Sequence, residues 1–221
     1  MNYKKSTGEK VFSAFNLFFL CLFGLICVYP IVYILAVSFS GSLAVMEGRV
    51  WLYPVDFHLK AYEIVFSNDN ILRAYLNTLL YTVIGTGFNL AAITCAAYPL
   101  SKKRLRGRSG FSLYFVFTIL FSGGMVPNFL LIQKLGFYDT IWAVTVPGAV
   151  SVFYMIILRT NFEQIPDALE EAAIIDGMND LQILFRIFIP LSLPIYAALI
   201  LFFAVGHWNS FFDAFIYLQT K

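Results

Sequence analysis

The chain alternates long apolar runs with shorter polar segments. The apolar runs cover about residues 11–39, 71–100, 109–132, 140–158 and 187–207. Each run is close to, or longer than, the roughly 20 residues that an α-helix needs to cross the hydrocarbon core of a bilayer. The pattern therefore predicts an all-α polytopic membrane protein with five spans in this chain.

The polar segments carry a charge pattern that predicts how the spans are oriented. The stretch "SKKRLRGR" after the second run holds five basic residues and no acidic residue, which is typical of a cytoplasmic loop. Counting spans from this loop places the N-terminus, residues 1–10 with its three lysines, on the same side. It places residues 40–70 outside and returns residues 159–190, called here the acidic segment, to the cytoplasm.

The composition excludes a soluble protein. Hydrophobic residues make up 60% of the 221 residues and charged residues 13%. Soluble domains carry about a quarter charged residues, so this chain lacks the polar surface that a soluble fold needs. An integral membrane protein built of helices is the class that fits.

The sequence offers little material for catalysis or metal binding. Its three cysteines lie inside apolar runs, and only His58 and His207 supply imidazoles. No G-x-x-x-x-G-K-[ST] phosphate loop is present, so we do not expect this chain to bind ATP by that device. We expect no catalytic residues, no metal site, no cofactor and no nucleic-acid partner.

The acidic segment predicts a short amphipathic helix. Asp167 follows Pro166 and is a candidate N-cap, and Glu170 completes a pattern similar to a capping box. The helix is expected to end at about Asp176, where Gly177 can adopt the left-handed conformation that terminates helices.

When its residues are placed at 100° intervals around the axis, the two sides of this helix differ in residue type. Acidic residues occupy one side: Asp167, Glu170 and Glu171. Apolar residues occupy the other: Ala168, Leu169, Ala172, Ala173 and Ile175. The adjacent alanines keep the apolar side thin, which suits docking to a protein, whereas helices that lie on lipid favour basic polar faces. A solvated loop between two spans is the alternative interpretation.

The remainder of the acidic segment predicts a turn and the entry to a span. A second helical turn is expected to start near Asn179 or Asp180. Pro190 is expected to mark the entry to the fifth span.

The spacing in this segment resembles the cytoplasmic signature of binding-protein-dependent ABC transporter permeases. That signature reads E-A-A, three residues, G, nine residues, I-x-L-P. Here the matching residues are Glu171-Ala172-Ala173, Gly177 and Ile187-Phe188-Ile189-Pro190, and isoleucine in place of leucine is the departure. The stretches "YLNTLLYTVIGT" and "HWNSFFDAFIYL" look similar to the carbohydrate-uptake branch of the family, especially permeases for oligosaccharides and polysaccharide fragments.

This resemblance implies a type I ABC importer permease in a bacterial cytoplasmic (inner) membrane. It implies a second homologous permease subunit in a heterodimer, two ATPase subunits that bind ATP and Mg, an external solute-binding protein and the lipid bilayer. The family has six spans, so a sixth span is expected but missing from this chain. The residues implied to couple to the ATPase are Glu170, Glu171, Ala172, Ala173, Asp176, Gly177, Ile187 and Pro190.

A second set of candidates could line the substrate pathway, because polar residues at bilayer depth are costly and often functional. These residues are Asn77, Asn89, Asn128, Trp142, Trp208 and Asn209. For the aromatic members an interfacial belt is the alternative. Gly123-Gly124-Pro127 and Pro147-Gly148 predict either helix breaks around a cavity or tight packing, whereas "GTG" at 85–87 favours close helix packing.

The predicted function is therefore that of a permease subunit of an ATP-driven importer for a sugar or oligosaccharide. An ABC permease for an amino acid, a peptide or phosphate is one alternative, and a membrane scaffold subunit without transport is another. A membrane-embedded enzyme would need acid, His or Cys clusters within the spans, and the sequence shows none.

Overall fold

The computed structural model describes residues 6–218, which contain helices and no strands. The chain divides into two compact units between Arg73 and Ala74. In the first unit three helices lie along the chain: α1 (Thr7–Ser38), α2 (Ser42–Met46) and α3 (Lys60–Phe66). The polar loop predicted at 40–70 therefore contains two short helices.

The second unit contains most of α4 (Asp69–Ser101) and all the later helices. The later elements are α5 (Arg108–Leu120), α6 (Met125–Lys134), α7 (Trp142–Thr145), α8 (Val152–Glu163), α9 (Asp167–Ile175), α10 (Asp180–Ile183), a π-helical turn (Leu184–Phe188), α11 (Ile189–Leu191), α12 (Leu193–Trp208) and α13 (Phe211–Tyr217). The prediction of an all-α membrane fold is confirmed.

Length and composition identify the helices that can cross a bilayer. Helices α1 and α4 each qualify alone, and their bounds agree closely with the first two predicted spans. Two bent pairs also qualify when each pair is counted as one span. They are α5 with α6, bent by 117°, and Asp180–Leu191 with α12, bent by 83°.

The third and fourth apolar runs each form two helices rather than one. The break between α5 and α6 contains Gly124 at φ +83, and the break between α7 and α8 contains Pro147 and Gly148. A left-handed φ suits glycine because it has no Cβ, and proline lacks the amide proton that a helix needs. A Cβ on Gly124 or Gly148 would meet nothing within 4 Å, so helix breaking and not tight packing is the correct alternative at both positions.

The fifth apolar run begins its long helix later than predicted. Helix α12 starts at Leu193, with Pro194 in its first turn, where a missing amide proton costs nothing. Pro190 lies instead at the start of α11, before the 83° bend. Pro190 thus lies three residues before the long helix begins, and its role as the entry to the span stays a prediction.

A shared core joins five helices and the π-helical turn of the second unit. Buried side chains from α4, α8, α9, α10, α12 and this turn form one cluster, which includes Tyr98, Phe162, Ala173, Phe188 and Leu199. The short α9 thus belongs to the packed core of this unit. A smaller cluster of Ile132, Ala143 and Tyr217 joins α6, α7 and α13.

The imidazole of His207 in α12 packs closely against Gly85 in α4. A Cβ placed there would lie 2.5 Å from Nε2 of His207, whereas a Cβ at Gly87 would meet nothing within 4 Å. The close packing predicted for "GTG" is therefore present at its first glycine and absent at its second.

These two glycines make a matched pair for a stability test. Gly85→Ala should destabilise the protein by about 2 kcal/mol because the added methyl group overpacks the contact with His207. Gly87→Ala should be neutral, or stabilising by up to about 1 kcal/mol, since alanine favours helix. Thermal unfolding of the two detergent-solubilised variants measures the difference, and equal midpoints would contradict the close contact.

Candidate functional site

The start of α9 differs from its prediction. Pro166, and not Asp167, occupies the N-cap position, and Asp167 is the first helical residue. The Asp167 carboxylate instead receives a hydrogen bond from Nζ of Lys103 at 3.2 Å. An acidic side chain in the first helical turn still interacts favourably with the helix dipole.

The end of α9 agrees with its prediction. Gly177 has φ +78, and its amide donates to the carbonyl of Ile174 at 3.0 Å. The amide of Met178 donates to the carbonyl of Ala173 at 2.9 Å, so the last turn is closed by the pattern expected of a left-handed cap. Asn179 then caps α10 through a reciprocal capping box with Gln182, which confirms the predicted second turn.

The predicted apolar side of α9 is divided between the core and the surface. Ala173 is buried among the core residues, whereas Ala172 is exposed and Ile175 is 85% exposed. Glu170 faces inward beside Ala173, while Glu171 faces outward. Tertiary packing therefore takes up Ala173, and docking by the exposed residues of this side stays a prediction.

The basic loop before α5 is the internal partner of the acidic segment. Glu170 lies 2.6 Å from Nζ of Lys102 and 3.2 Å from a guanidinium nitrogen of Arg104. Arg104 also contacts Asp180 at 2.6 Å, and Lys103 contacts Asp167 at 3.2 Å. These contacts fix α9 and α10 against the end of α4. The charges of the basic loop indicate orientation in the sequence, but nothing in the sequence predicts this pairing.

The Lys102–Glu170 pair is largely removed from solvent. Their side chains are 11% and 13% exposed. Nζ of Lys102 lies 3.6 Å from the ring centroid of Phe188 and 4.5 Å from that of Tyr98. Burial lowers the pKa of Lys102, and the neighbouring Glu170 carboxylate opposes this effect. The ammonium group is thus held by one carboxylate and two aromatic faces.

A second ionic cluster lies beside the first. Glu163 at the end of α8 pairs with Arg159 at 2.8 Å and with Arg108. Arg108 also donates to the carbonyl of Leu100 at 2.8 Å, and Arg159 donates to the hydroxyl of Ser112 at 2.7 Å. These bonds hold α5 and α8 together next to the basic loop.

A cleft of about 450 Å³ lies between the basic loop and α9. Glu170 and Glu171 both line it, but they differ in their partners. The Glu171 carboxylate forms no ion pair or hydrogen bond with the described part of the chain. Glu171 is therefore available to a partner, whereas Glu170 is already occupied.

Three other predicted coupling residues, Asp176, Ile187 and Pro190, do not line this cleft. Asp176 is exposed as the C-cap of α9, and Pro190 is exposed in α11. Ile187 is partly buried and packs against the shared core.

Four of the predicted pathway residues line two clefts. Asn89 and Asn128 line a cleft of about 320 Å³, together with Pro147 and Gly148 of the helix break. Two others, Asn77 and Trp208, line a second cleft of about 330 Å³. His207 lines both clefts. This histidine was not among the residues predicted to line the pathway.

The other two pathway candidates have structural contacts instead. Trp142 packs edge-on against Phe88, with ring centroids 6.2 Å apart. The side-chain amide of Asn209 donates to the carbonyl of Val205 at 2.8 Å and so completes the end of α12. Neither residue lines the two clefts.

No family model matches the chain. The chain is 44% identical over 203 residues to the polygalacturonan/rhamnogalacturonan transport system permease protein YtcP of Bacillus subtilis (strain 168), and the match covers 92% of this chain and 71% of that protein. It is 32% identical over 213 residues to the inner membrane ABC transporter permease protein YcjP of Escherichia coli (strain K12), covering 91% and 74%.

A solved structure is also similar. It is the crystal structure of a bacterial ABC transporter involved in the import of the acidic polysaccharide alginate. The TM-score is 0.94 and the identity 39%, over 99% of this chain and 78% of that chain.

The buried ion pair can be tested against an exposed one. Glu170→Gln should destabilise the protein by about 3 kcal/mol, because it leaves the buried Lys102 ammonium without its counter-charge. Asp167→Asn should cost less than about 1 kcal/mol, since the Lys103–Asp167 pair is solvent-exposed. The measurement is the thermal unfolding midpoint of each purified variant, and an equal loss in both would contradict the special role of Glu170.

Proposed function

Because this chain belongs to the carbohydrate ABC transporter permeases, we propose that it is a membrane subunit of an ATP-driven importer for a sugar or oligosaccharide. The observation that carries the proposal is the geometry of α9. One side of this helix is held by buried contacts, and the other side is exposed and can bind a partner. In this proposal a separate ATPase docks on α9, and ATP hydrolysis takes place on that partner.

The outward side of α9 has the chemistry of a docking surface. We define this surface as Ala168, Glu171, Ala172 and Ile175, all of which are exposed. The alanines allow another backbone to approach closely, and the free Glu171 carboxylate can pair with a basic residue at the edge of the partner's groove. Ile175, exposed outside the long apolar helices, supplies an apolar contact.

The inward side of α9 supports transmission of movement. Glu170 joins α9 to the end of α4 through Lys102, and Ala173 packs with the core residues of α4, α8 and α12. A force applied to the docking surface therefore reaches two long apolar helices through buried contacts. Closure of an ATPase dimer would shift α9 and so favour one access state of the permease over the other.

The proposed complex follows from the family. It has a second, homologous permease subunit as heterodimer partner, two ATPase subunits with ATP and Mg, and an external solute-binding protein. In this arrangement the N-terminus, the basic loop and α9 face the cytoplasm, as the lysine and arginine distribution indicates. The signature residues Gly177 and Pro190 serve this assembly by setting the chain direction at either end of α10 and α11.

The substrate class follows from the relatives. Their names cite polygalacturonan, lactose, diacetylchitobiose and arabinooligosaccharides, and the solved structure concerns alginate. We therefore propose a fragment of a polysaccharide as the substrate of this chain. Uptake of labelled oligogalacturonides or alginate oligosaccharides into proteoliposomes, with and without ATP, tests this step, and no ATP-dependent uptake of any glycan would contradict it.

Docking can be tested at Ala172. Ala172→Trp should reduce ATP-dependent uptake by at least tenfold and release the ATPase during purification, since the indole holds the partner away from α9. Gln164→Trp is the matched control, because Gln164 is exposed at the end of α8 outside the docking surface. Co-purification of the ATPase with each membrane-inserted variant is the measurement.

The outcome can separate docking from folding. Ala173→Trp should lower the thermal midpoint, because Ala173 is buried, whereas Ala172→Trp should leave it unchanged. Retention of the ATPase and of uptake by Ala172→Trp would refute the assignment of the docking surface.

A further inference from the structure

Helix α4 carries polar groups that are buried and unpaired. The side-chain oxygens of Thr82, Thr86 and Asn89 are buried, and none has a hydrogen-bond partner within residues 6–218. Their spacing of four and three residues places them on one side of α4. An unpaired polar atom in apolar surroundings costs free energy, so such a row in a membrane helix indicates a functional surface.

Asn89 is the most informative of the three. It is 3% exposed, and its amide nitrogen lies 3.1 Å from Nε2 of His207. When the amide donates to Nε2, the imidazole carries its proton on Nδ1, and Oδ1 of Asn89 keeps its full capacity to accept. Asn89 lines the 320 Å³ cleft, and its buried Oδ1 can receive a hydrogen bond from a ligand there when the amide turns toward the cleft.

The same cleft has the composition of a sugar site. Its polar lining includes Asn128, Ser210 and Asp213, while Tyr154 and Tyr217 supply aromatic surface. Its volume lies within the about 300–1,000 Å³ of typical ligand pockets. A sugar ring presents hydroxyl groups at its edge and C–H groups on its face, which match amide oxygens and aromatic rings respectively.

The charges of this cleft distinguish hydroxyl recognition from carboxylate recognition. No lysine or arginine is among the residues that line it, and Asp213 contributes an acidic group. A carboxylate would lack a cationic partner there, whereas a hydroxyl can donate to Asn89 and accept from a neighbouring donor.

We propose that Asn89, positioned by His207, is a specificity-determining residue that accepts a hydrogen bond from a ring hydroxyl of the transported glycan. This inference rests on the proposed function, since it places a sugar subsite on the pathway of the importer. The amide of Asn89 donates to His207, its carbonyl oxygen binds the hydroxyl, and the aromatic side chains of the cleft contact the ring face.

The test compares substrates that differ by one hydroxyl. The full complex with its partner subunits is reconstituted in proteoliposomes, and uptake kcat/KM is measured for an acidic glycan, an oligogalacturonide, for a neutral glycan, an arabinooligosaccharide, and for their monodeoxy analogues. Discrimination is the ratio of kcat/KM for the parent glycan to kcat/KM for its analogue. For at least one analogue this ratio should be about tenfold larger in the wild type than in Asn89→Leu, as expected for one lost hydrogen bond in a buried site. Asn209→Leu, which alters an asparagine outside both clefts, should retain the wild-type ratio.

The difference in this ratio between wild type and variant reports on the permease alone, because the solute-binding protein is the same in every reaction. Unchanged discrimination in Asn89→Leu would overturn the inference, and so would equal losses in Asn89→Leu and Asn209→Leu. If Asn89→Leu does not assemble by gel filtration, Asn128→Leu, at an exposed position in the same cleft, is judged by the same criterion. Absence of ATP-dependent glycan uptake by the wild type would instead reject the proposed function.

Discussion

The buried contact between Lys102 and Glu170 is the interaction on which the second unit of this permease depends. It joins a helix of nine residues to the end of a helix of 33 residues. An isolated helix as short as α9 is marginal in water, so its stability comes from tertiary contacts. The ammonium group is enclosed by Tyr98, Phe188 and a carboxylate, and Ala173 seals the same side. A rigid attachment of this kind is required if movement of α9 is to displace the membrane helices.

The helix breaks have a different effect from this rigid attachment, because they leave space between helices. Gly124, Pro147 and Gly148 interrupt apolar sequences that could each have formed one straight helix. The break at Pro147 and Gly148 opens onto the cleft that contains Asn89. Irregular backbone at membrane depth is tolerated where protein or a cavity surrounds it, and transporter sites are often built in this way. The second unit thus combines a tightly packed end near α9 with an open region around His207.

Most local features were predicted well from the sequence, with the N-cap of α9 as the exception, whereas features that depend on distant partners were not. Gly177 and Asn179 were placed correctly because a left-handed cap and a capping box need only neighbouring residues. The roles of Glu170 and Glu171 could not be separated, since they differ by one 100° step and the basic loop decides which faces inward. The contact of Asn89 with His207 spans 118 residues, and no periodicity in the chain signals it.

Two of the ionic contacts between α9 and the basic loop respond differently to the surrounding solvent. Lys103 and Asp167 lie in water, where dissolved ions screen their attraction, whereas Lys102 and Glu170 are shielded from those ions. A change in ionic strength therefore loosens the outer contact and leaves the inner one intact. The attraction between this permease and a charged partner can accordingly vary with the salt content of the surrounding solution, while the permease's own link from α9 to α4 is unaffected.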